Sequence, residues 1–149
     1  MRYLILLFFI VSCSYEKYES SDQPPAVGEC ANGFSTYTIN GEDLQFECND
    51  YDLVGYVSLD QMDADSGNDC WGWTDPLTGK EYALMGLDNG TGIIDISDPF
   101  NPNYLGKIPT ATLSSTWRDV KVFKDHAFIV SEAAGHGMQI FDLSKVRDI

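Results

Sequence analysis

Residues 69–97 read DCWGWTDPLTGKEYALMGLDNGTGIIDIS, and residues 119–144 repeat the pattern as DVKVFKDHAFIVSEAAGHGMQIFDLS. Three segments align at offsets of 50, 44 and 47 residues: Asp69 with Asp119, 82–85 with 126–129, and 90–97 with 137–144. The offsets differ because insertions fall between the aligned segments. A period in the forties with insertions confined to loops is typical of a β-propeller blade or a similar β array.

Each unit divides into short strands. The apolar run 82–87 predicts a strand buried on both faces, and 92–96 predicts the next strand. Asn89-Gly90 between them predicts a two-residue type I′ hairpin turn, which needs positive φ at both positions. Residues 97–102 break the pattern with two prolines, and 104–108 resume it as a fourth, outer strand.

These residues carry a family resemblance. The stretch GIIDISDP from Gly92, followed by Asn101-Pro102 and Leu105-Gly106, resembles the LVIVD repeat. Together with DCWGWTDP from Asp69, Trp117-Arg118-Asp119 and GHGMQIFDL from Gly135, the chain resembles the bacterial choice-of-anchor B family. The resemblance covers roughly Cys30 to the end of the sequence. It implies an exported β-propeller attached to the envelope, without a known catalytic activity and without catalytic residues to transfer.

The amino terminus predicts a lipoprotein. Met1-Arg2 is a short positive region, and the apolar run from Tyr3 to Val11 is too short for a membrane helix. Ile10-Val11-Ser12-Cys13 resembles a lipobox, so we expect residues 1–12 to be a signal peptide and Cys13 to be acylated. The alternative is an ordinary signal peptide with an incidental cysteine. Residues 13–29 are polar, with Pro24-Pro25, and predict a disordered tether.

Three cysteines remain once Cys13 is assigned to lipid. Export permits disulfides, and we expect Cys30 to pair with Cys48, with other pairings or no pairing as alternatives. Cys70 lies in a predicted strand beside Trp71 and is expected to be a buried small apolar group. A zinc site is the weaker alternative, because no CxxC spacing exists and only His126 and His136 are available.

The region before the first unit carries two further predictions. Residues 52–59 resemble the outer strand 103–108 and predict a closing strand of the propeller ring. Asp63, Asp65 and Asp69 alternate with other residues around Gly67, a spacing that can supply oxygen ligands to calcium. The alternative is a solvated acidic turn, because the distal glutamate of an EF-hand is missing.

Aromatic and histidine residues divide between core and binding roles. Trp71, Trp73, Trp117 and Phe123 are expected to pack between blades, with a sugar-stacking platform as the alternative. His136 between two glycines is expected to be a turn residue, with a place on a binding face as the alternative. Trp71, Trp73 and His136 are therefore the binding-face candidates. The repeated aspartates, Asp95 and Asp142, are expected to accept backbone N–H bonds in the turn after each third strand.

Charge and motifs restrict the function. The net charge of −14 argues against nucleic-acid binding, which needs cations to neutralise phosphates. The sequence contains no GxSxG, GxGxxG or P-loop motif. We therefore expect no enzyme and no cofactor, calcium aside, but a surface or periplasmic lipoprotein that binds a protein or glycan ligand. The alternative is a propeller-based hydrolase or lyase assisted by calcium.

The predicted fold is all-β. Residues 30–149 are expected to form the N-terminal part of an LVIVD-type propeller, with about two four-stranded antiparallel blades and the closing strand. One full blade and three strands of a second fall short of the four to eight blades of a typical propeller. The sequence is therefore expected to be a fragment that associates through its exposed sheets when expressed alone.

Overall fold

The structure is a computed structural model that describes residues 28–39 and 41–149. The predicted signal peptide, Cys13 and nearly all of the tether lie outside the described residues. Nine strands and one 3₁₀ helix occur in the described part: β1 (Phe34–Ile39), β2 (Glu42–Glu47), β3 (Gly67–Thr74), β4 (Glu81–Leu87), β5 (Gly90–Asp95), β6 (Asn103–Pro109), β7 (Arg118–Phe123), β8 (His126–Ser131), β9 (Met138–Asp142) and the 3₁₀ helix η1 (Leu143–Asp148). The all-β prediction is confirmed. Across the described residues, no helix is long and apolar enough to cross a membrane.

The strands form three separate antiparallel sheets. β1 and β2 form a hairpin, β3–β4–β5–β6 form the first sheet, and β7–β8–β9 form the second sheet. The first sheet corresponds to the first sequence unit and contains its four predicted strands in chain order. The second sheet corresponds to the second unit and contains three strands. None of the sheets closes on itself.

The turn between β4 and β5 differs from the prediction. Leu87 pairs with Gly90, so the two turn residues are Asp88 and Asn89, and none of these turn positions has a positive φ. The type I′ turn at Asn89-Gly90 is therefore wrong. Gly90 serves close packing instead, because a Cβ on it would collide with the backbone oxygen of Ile108 on β6.

The first and second sheets pack face to face around one apolar core. Its members are buried side chains from both sheets and from η1: Trp73, Tyr82, Leu84, Ile93, Val120, Ala127, Ile129, Leu143 and Val146. Leu84, Val120 and Ile129 are completely inaccessible to solvent. Full burial of a side chain of this kind contributes roughly 1.5–3 kcal/mol, so this interface is a main source of stability.

The predicted closing strand is wrong. Residues 52–59 contain only an isolated bridge between Leu53 and Gly28, and the following residues form turns. Val57, Leu59 and Met62 instead lie as irregular chain on the opposite face of the first sheet, against Leu87 and Ile94. Side-chain burial on the sheet face, rather than backbone pairing, holds this segment.

The hairpin β1–β2 is tied to the chain by a disulfide. Cys30 and Cys48 are bonded, with 5.9 Å between their Cα atoms, which confirms the predicted pair. Tyr56 contacts the rings of Tyr37 and Phe46, at centroid distances of 5.9 and 5.6 Å. The sequence gave no alternation strong enough to predict this hairpin, whose side chains are mostly exposed.

Removing the disulfide is expected to destabilise the hairpin. The bridge closes a loop with a sequence separation of 18 residues. Chain entropy assigns about 3 kcal/mol to a loop of this size. The double variant Cys30→Ser, Cys48→Ser should therefore lose hydrogen-exchange protection in β1–β2 while the first sheet keeps its protection. Unchanged protection in β1–β2 would contradict this expectation.

Candidate functional site

An open cleft lies where the first strands of the two sheets meet. Its volume is about 230 Å³, and it is lined by Asn68, Trp117, Asp119, Val130, Ser131 and Glu132. The indole of Trp117 is 59% exposed and offers a flat apolar surface beside amide, hydroxyl and carboxylate groups. A flat aromatic surface with a few polar groups around it suits a binding site for a small polar ligand.

Asp69 fixes the two strands that border the cleft. Its Oδ2 accepts the backbone N–H of Val120 at 2.9 Å and the Nζ–H of Lys121 at 2.9 Å. The bond from the Val120 backbone is the main reason why the pKa of Asp69 lies below its usual range, and the Lys121 bond acts in the same direction. The side-chain amide of Asn68 also donates to the Arg118 oxygen at 3.4 Å.

A glycine permits this close approach. A Cβ on Gly86 in β4 would lie 2.5 Å from the backbone oxygen of Arg118 in β7. No real Cβ tolerates that distance to a backbone atom, so a side chain here would push the sheets apart. The cleft therefore depends on a residue of the first sheet that does not line it.

Arg118 anchors the second sheet inside the first. Only 1% of it is exposed, and its guanidinium donates to the oxygen of Leu87 at 2.8 Å and to Oγ1 of Thr110 at 2.9 Å. It also lies 2.9 Å from Nε2 of His136. Burial lowers the pKa of Arg118, but an arginine in a protein stays charged.

His136 is part of this anchor. Because a guanidinium only donates, Nε2 of His136 must accept, and its Nδ1–H then donates to the Gly137 oxygen at 3.1 Å. The residue is 6% exposed. Burial places His136 in the structural role expected for a turn residue and takes it off any binding face.

The tryptophans divide between core and surface. Trp73 is 5% exposed and stacks on Tyr82 at 5.3 Å, so its expected core role is confirmed and its place among the binding-face candidates is wrong. The core expectation is wrong for Trp71, Trp117 and Phe123, which are all exposed. Trp71 lies outside the cleft, with the Lys121 ammonium 4.4 Å from its ring centre.

Asp75 and Arg147 clamp the far end of the two sheets. Arg147 of η1 donates from Nε to Asp75 Oδ2 at 2.8 Å and from an Nη to Oδ1 at 2.5 Å. Asp75 has no solvent exposure and also accepts from the Leu77 backbone and the Thr78 hydroxyl. The Arg147 bonds, helped by those of Leu77 and Thr78, hold the pKa of the Asp75 carboxyl well below its usual range.

The repeated aspartates have the expected turn role. Oδ1 of Asp95 accepts the Ser97 N–H, and Oδ1 of Asp142 accepts the Ser144 N–H, both at 3.0 Å. The prediction is confirmed in both units. Asp95 has an additional partner, since the Lys80 ammonium lies 3.0 Å from its Oδ2.

The proposed metal ligands do not gather into a site. Asp69 is engaged by the second sheet, whereas the side chain of Asp63 is fully exposed. Among residues 28–39 and 41–149, no group of three or more His, Cys, Asp or Glu side chains is placed to hold a metal ion. Cys70 lies in β3 as predicted, but it is a free, exposed thiol rather than a buried group. Calcium binding stays a hypothesis.

Searches against protein-family models, curated proteins and solved structures find no match to this chain.

The clamp between Asp75 and Arg147 predicts a pH dependence. The pKa of Asp75 is lower in the folded chain than its ordinary value of 3.8, so the ion pair stabilises the fold above that value. Asp75→Asn should unfold at a lower urea concentration than the wild type at pH 7. The difference should shrink as the pH falls past 3.8, because the unfolded wild type then takes up a proton.

The control is Asp60→Asn, at an exposed turn position. Its urea midpoint should stay close to that of the wild type throughout. A difference between Asp75→Asn and wild type that stays constant or grows as the pH falls would contradict the role assigned to the clamp.

Proposed function

We propose that this chain is a non-enzymatic binding protein of the cell envelope, built on a β-propeller of the LVIVD type found in the choice-of-anchor B family. The observation that carries the binding role is the exposed Trp117 in a cleft with polar walls. The scaffold, the anchor and the ligand each have separate support.

The relation between the two sheets supports a propeller. They come from successive sequence repeats, pack face to face, and meet through their equivalent first strands β3 and β7 at Asp69 and Val120. In a propeller the first strand of each blade lies next to the central channel, and the blades pack through their faces. On this reading the Trp117 cleft opens toward the channel.

The lining of the cleft favours a glycan as ligand. The exposed Trp117 ring can cover the apolar face of a sugar ring. Asn68, Ser131, Asp119 and Glu132 provide one amide, one hydroxyl and two carboxylates for hydrogen bonds to hydroxyl groups. Because the two carboxylates have no cation among the residues that line the cleft, they disfavour an anionic ligand.

The disulfide supports an exported protein. The bond between Cys30 and Cys48 fits an oxidising compartment such as the periplasm or the cell surface. Acylation of Cys13 would hold the protein at a membrane while the tether keeps the sheets away from the lipid. The high negative charge suits a protein that works without nucleic acid.

Binding is tested by Trp117→Ala. We expect wild-type protein to retain envelope glycans on an array, and the variant to bind them at least about tenfold more weakly, equivalent to about 1.4 kcal/mol. Trp71→Ala is the matched control, because Trp71 is also exposed but lies outside the cleft. Equal loss in both variants, or no loss in Trp117→Ala, would contradict the assignment, and turnover of the bound glycan would favour the hydrolase or lyase alternative.

Anchoring is tested by Cys13→Ser in cells. The wild type should fractionate with membranes and lose residues 1–12, because acylation and cleavage both depend on the cysteine. The variant should be released from the membrane fraction or stay unprocessed. Normal maturation and membrane association of the variant would show that Cys13 is not the anchor.

A further inference from the structure

The outer face of the second sheet carries large apolar side chains in contact with solvent. Phe123 is 66% exposed, Val130 42%, Met138 57% and Ile140 56%. The strand register puts all four on the same face, because Val130 pairs with Met138, and Phe128 between them in the sheet pairs with Ile140 and Lys121. In the described part of the chain this face lies opposite the core side of the sheet.

The equivalent face of the first sheet is buried. The repeat aligns Phe123 with Trp73, Phe128 with Leu84, Met138 with Thr91 and Ile140 with Ile93. These four first-sheet residues are each at most 5% exposed, because the second sheet covers them. The same repeat position therefore has a packing partner in one sheet and faces water in the other.

The complementary face also occurs twice. In the second sheet, Val120, Ala127 and Ile129 pack onto the first sheet. Their repeat equivalents in the first sheet are Cys70, Ala83 and Met85, which line an open apolar groove of about 380 Å³ together with Ile94. The chain thus carries both halves of its internal sheet-to-sheet interface a second time, at opposite ends of the pair.

We propose that the outer face of the second sheet docks the grooved face of the first sheet of a second copy of this chain. The contact repeats the internal interface between the two sheets, so it is head to tail. Such a contact is heterologous and leads to a closed ring or an open filament rather than a symmetric dimer.

The repeat also identifies a polar contact in this interface. Asp69 accepts the backbone N–H of Val120 inside the chain. Asp119 is the equivalent of Asp69, and Cys70 is the equivalent of Val120. The carboxylate of Asp119 therefore meets the backbone of Cys70 in the second copy.

Three features make this contact weaker than the internal interface. Val130 stands where the first sheet has Gly86, so the docked sheet cannot approach as closely. Val57, Leu59 and Met62 cover part of the groove. The net charge of −14 on each copy opposes association, so added salt strengthens it by screening.

Docking would also complete the cleft. Asp119 and Val130 lie on the docked face and line the Trp117 cleft. A second copy on this face would close the open side of the cleft.

Sedimentation velocity on the purified full chain tests the contact. We expect association that increases with protein concentration and with salt. Ile140→Asp should weaken it at least about tenfold, since it puts a charge into the apolar face. Leu77→Asp is the matched control, because Leu77 is also exposed but lies in the turn between β3 and β4. Unchanged thermal unfolding of Ile140→Asp shows that the variant folds.

Cysteine crosslinking tests the geometry. Under mild oxidation, Asp119→Cys should form an intermolecular disulfide with the native Cys70 thiol, and adding Cys70→Ser should abolish it. A crosslink that survives Cys70→Ser would mean that two second sheets face each other, which overturns the head-to-tail arrangement. A wild-type protein that is monomeric at all concentrations, or an Ile140→Asp variant that associates like the wild type, would overturn the docking surface itself.

Discussion

The packing of the first sheet on the second is the interaction on which the rest of the structure depends. A buried cation crosses it, since Arg118 of β7 reaches the Leu87 oxygen in the first sheet. Placing a guanidinium in a low-dielectric interior costs several kcal/mol, and only hydrogen bonds to the charge offset this cost. The apolar core brings the sheets together, whereas Arg118 and the clamp between Asp75 and Arg147 fix their relative position.

This interface also connects structure to the proposed function. The cleft exists because Gly86 and Asp69 allow β3 and β7 to lie side by side, with Trp117 just before β7. Its ligand-contacting groups come from both sheets, so their spacing depends on the packing beneath them. The proposed docking surface has the same origin, because a repeat that packs once through complementary faces presents the unused copies of those faces at its ends.

The sequence predicted what local patterns and the repeat determine. The strands of both units, the disulfide and the turn role of Asp95 and Asp142 follow from alternation, spacing and side-chain chemistry. It did not predict the bond between Asp75 and Arg147, because these residues are 72 positions apart and neither carries a motif. Trp117 was expected in the core because an aromatic residue beside a strand carries no signal for which face it occupies.

The prediction of a closing strand failed for a related reason. Residues 52–59 have strand-like composition, but strand formation needs a backbone partner, and burial of Val57 and Leu59 on a sheet face satisfies the same side chains. Propensity alone does not distinguish the two outcomes. Gly90 shows the same limit, since its role is close packing against β6 rather than turn geometry.

Native-state hydrogen exchange tests most directly whether the two sheets form one packed unit. The amides of Leu84 and Ile93 in the first sheet and of Ile129 in the second should exchange with a single opening free energy as denaturant is raised. This result is expected because each sheet buries its core face only against the other. Exchange of Ile129 through a separate opening of lower free energy, with Leu84 and Ile93 still protected, would contradict the account.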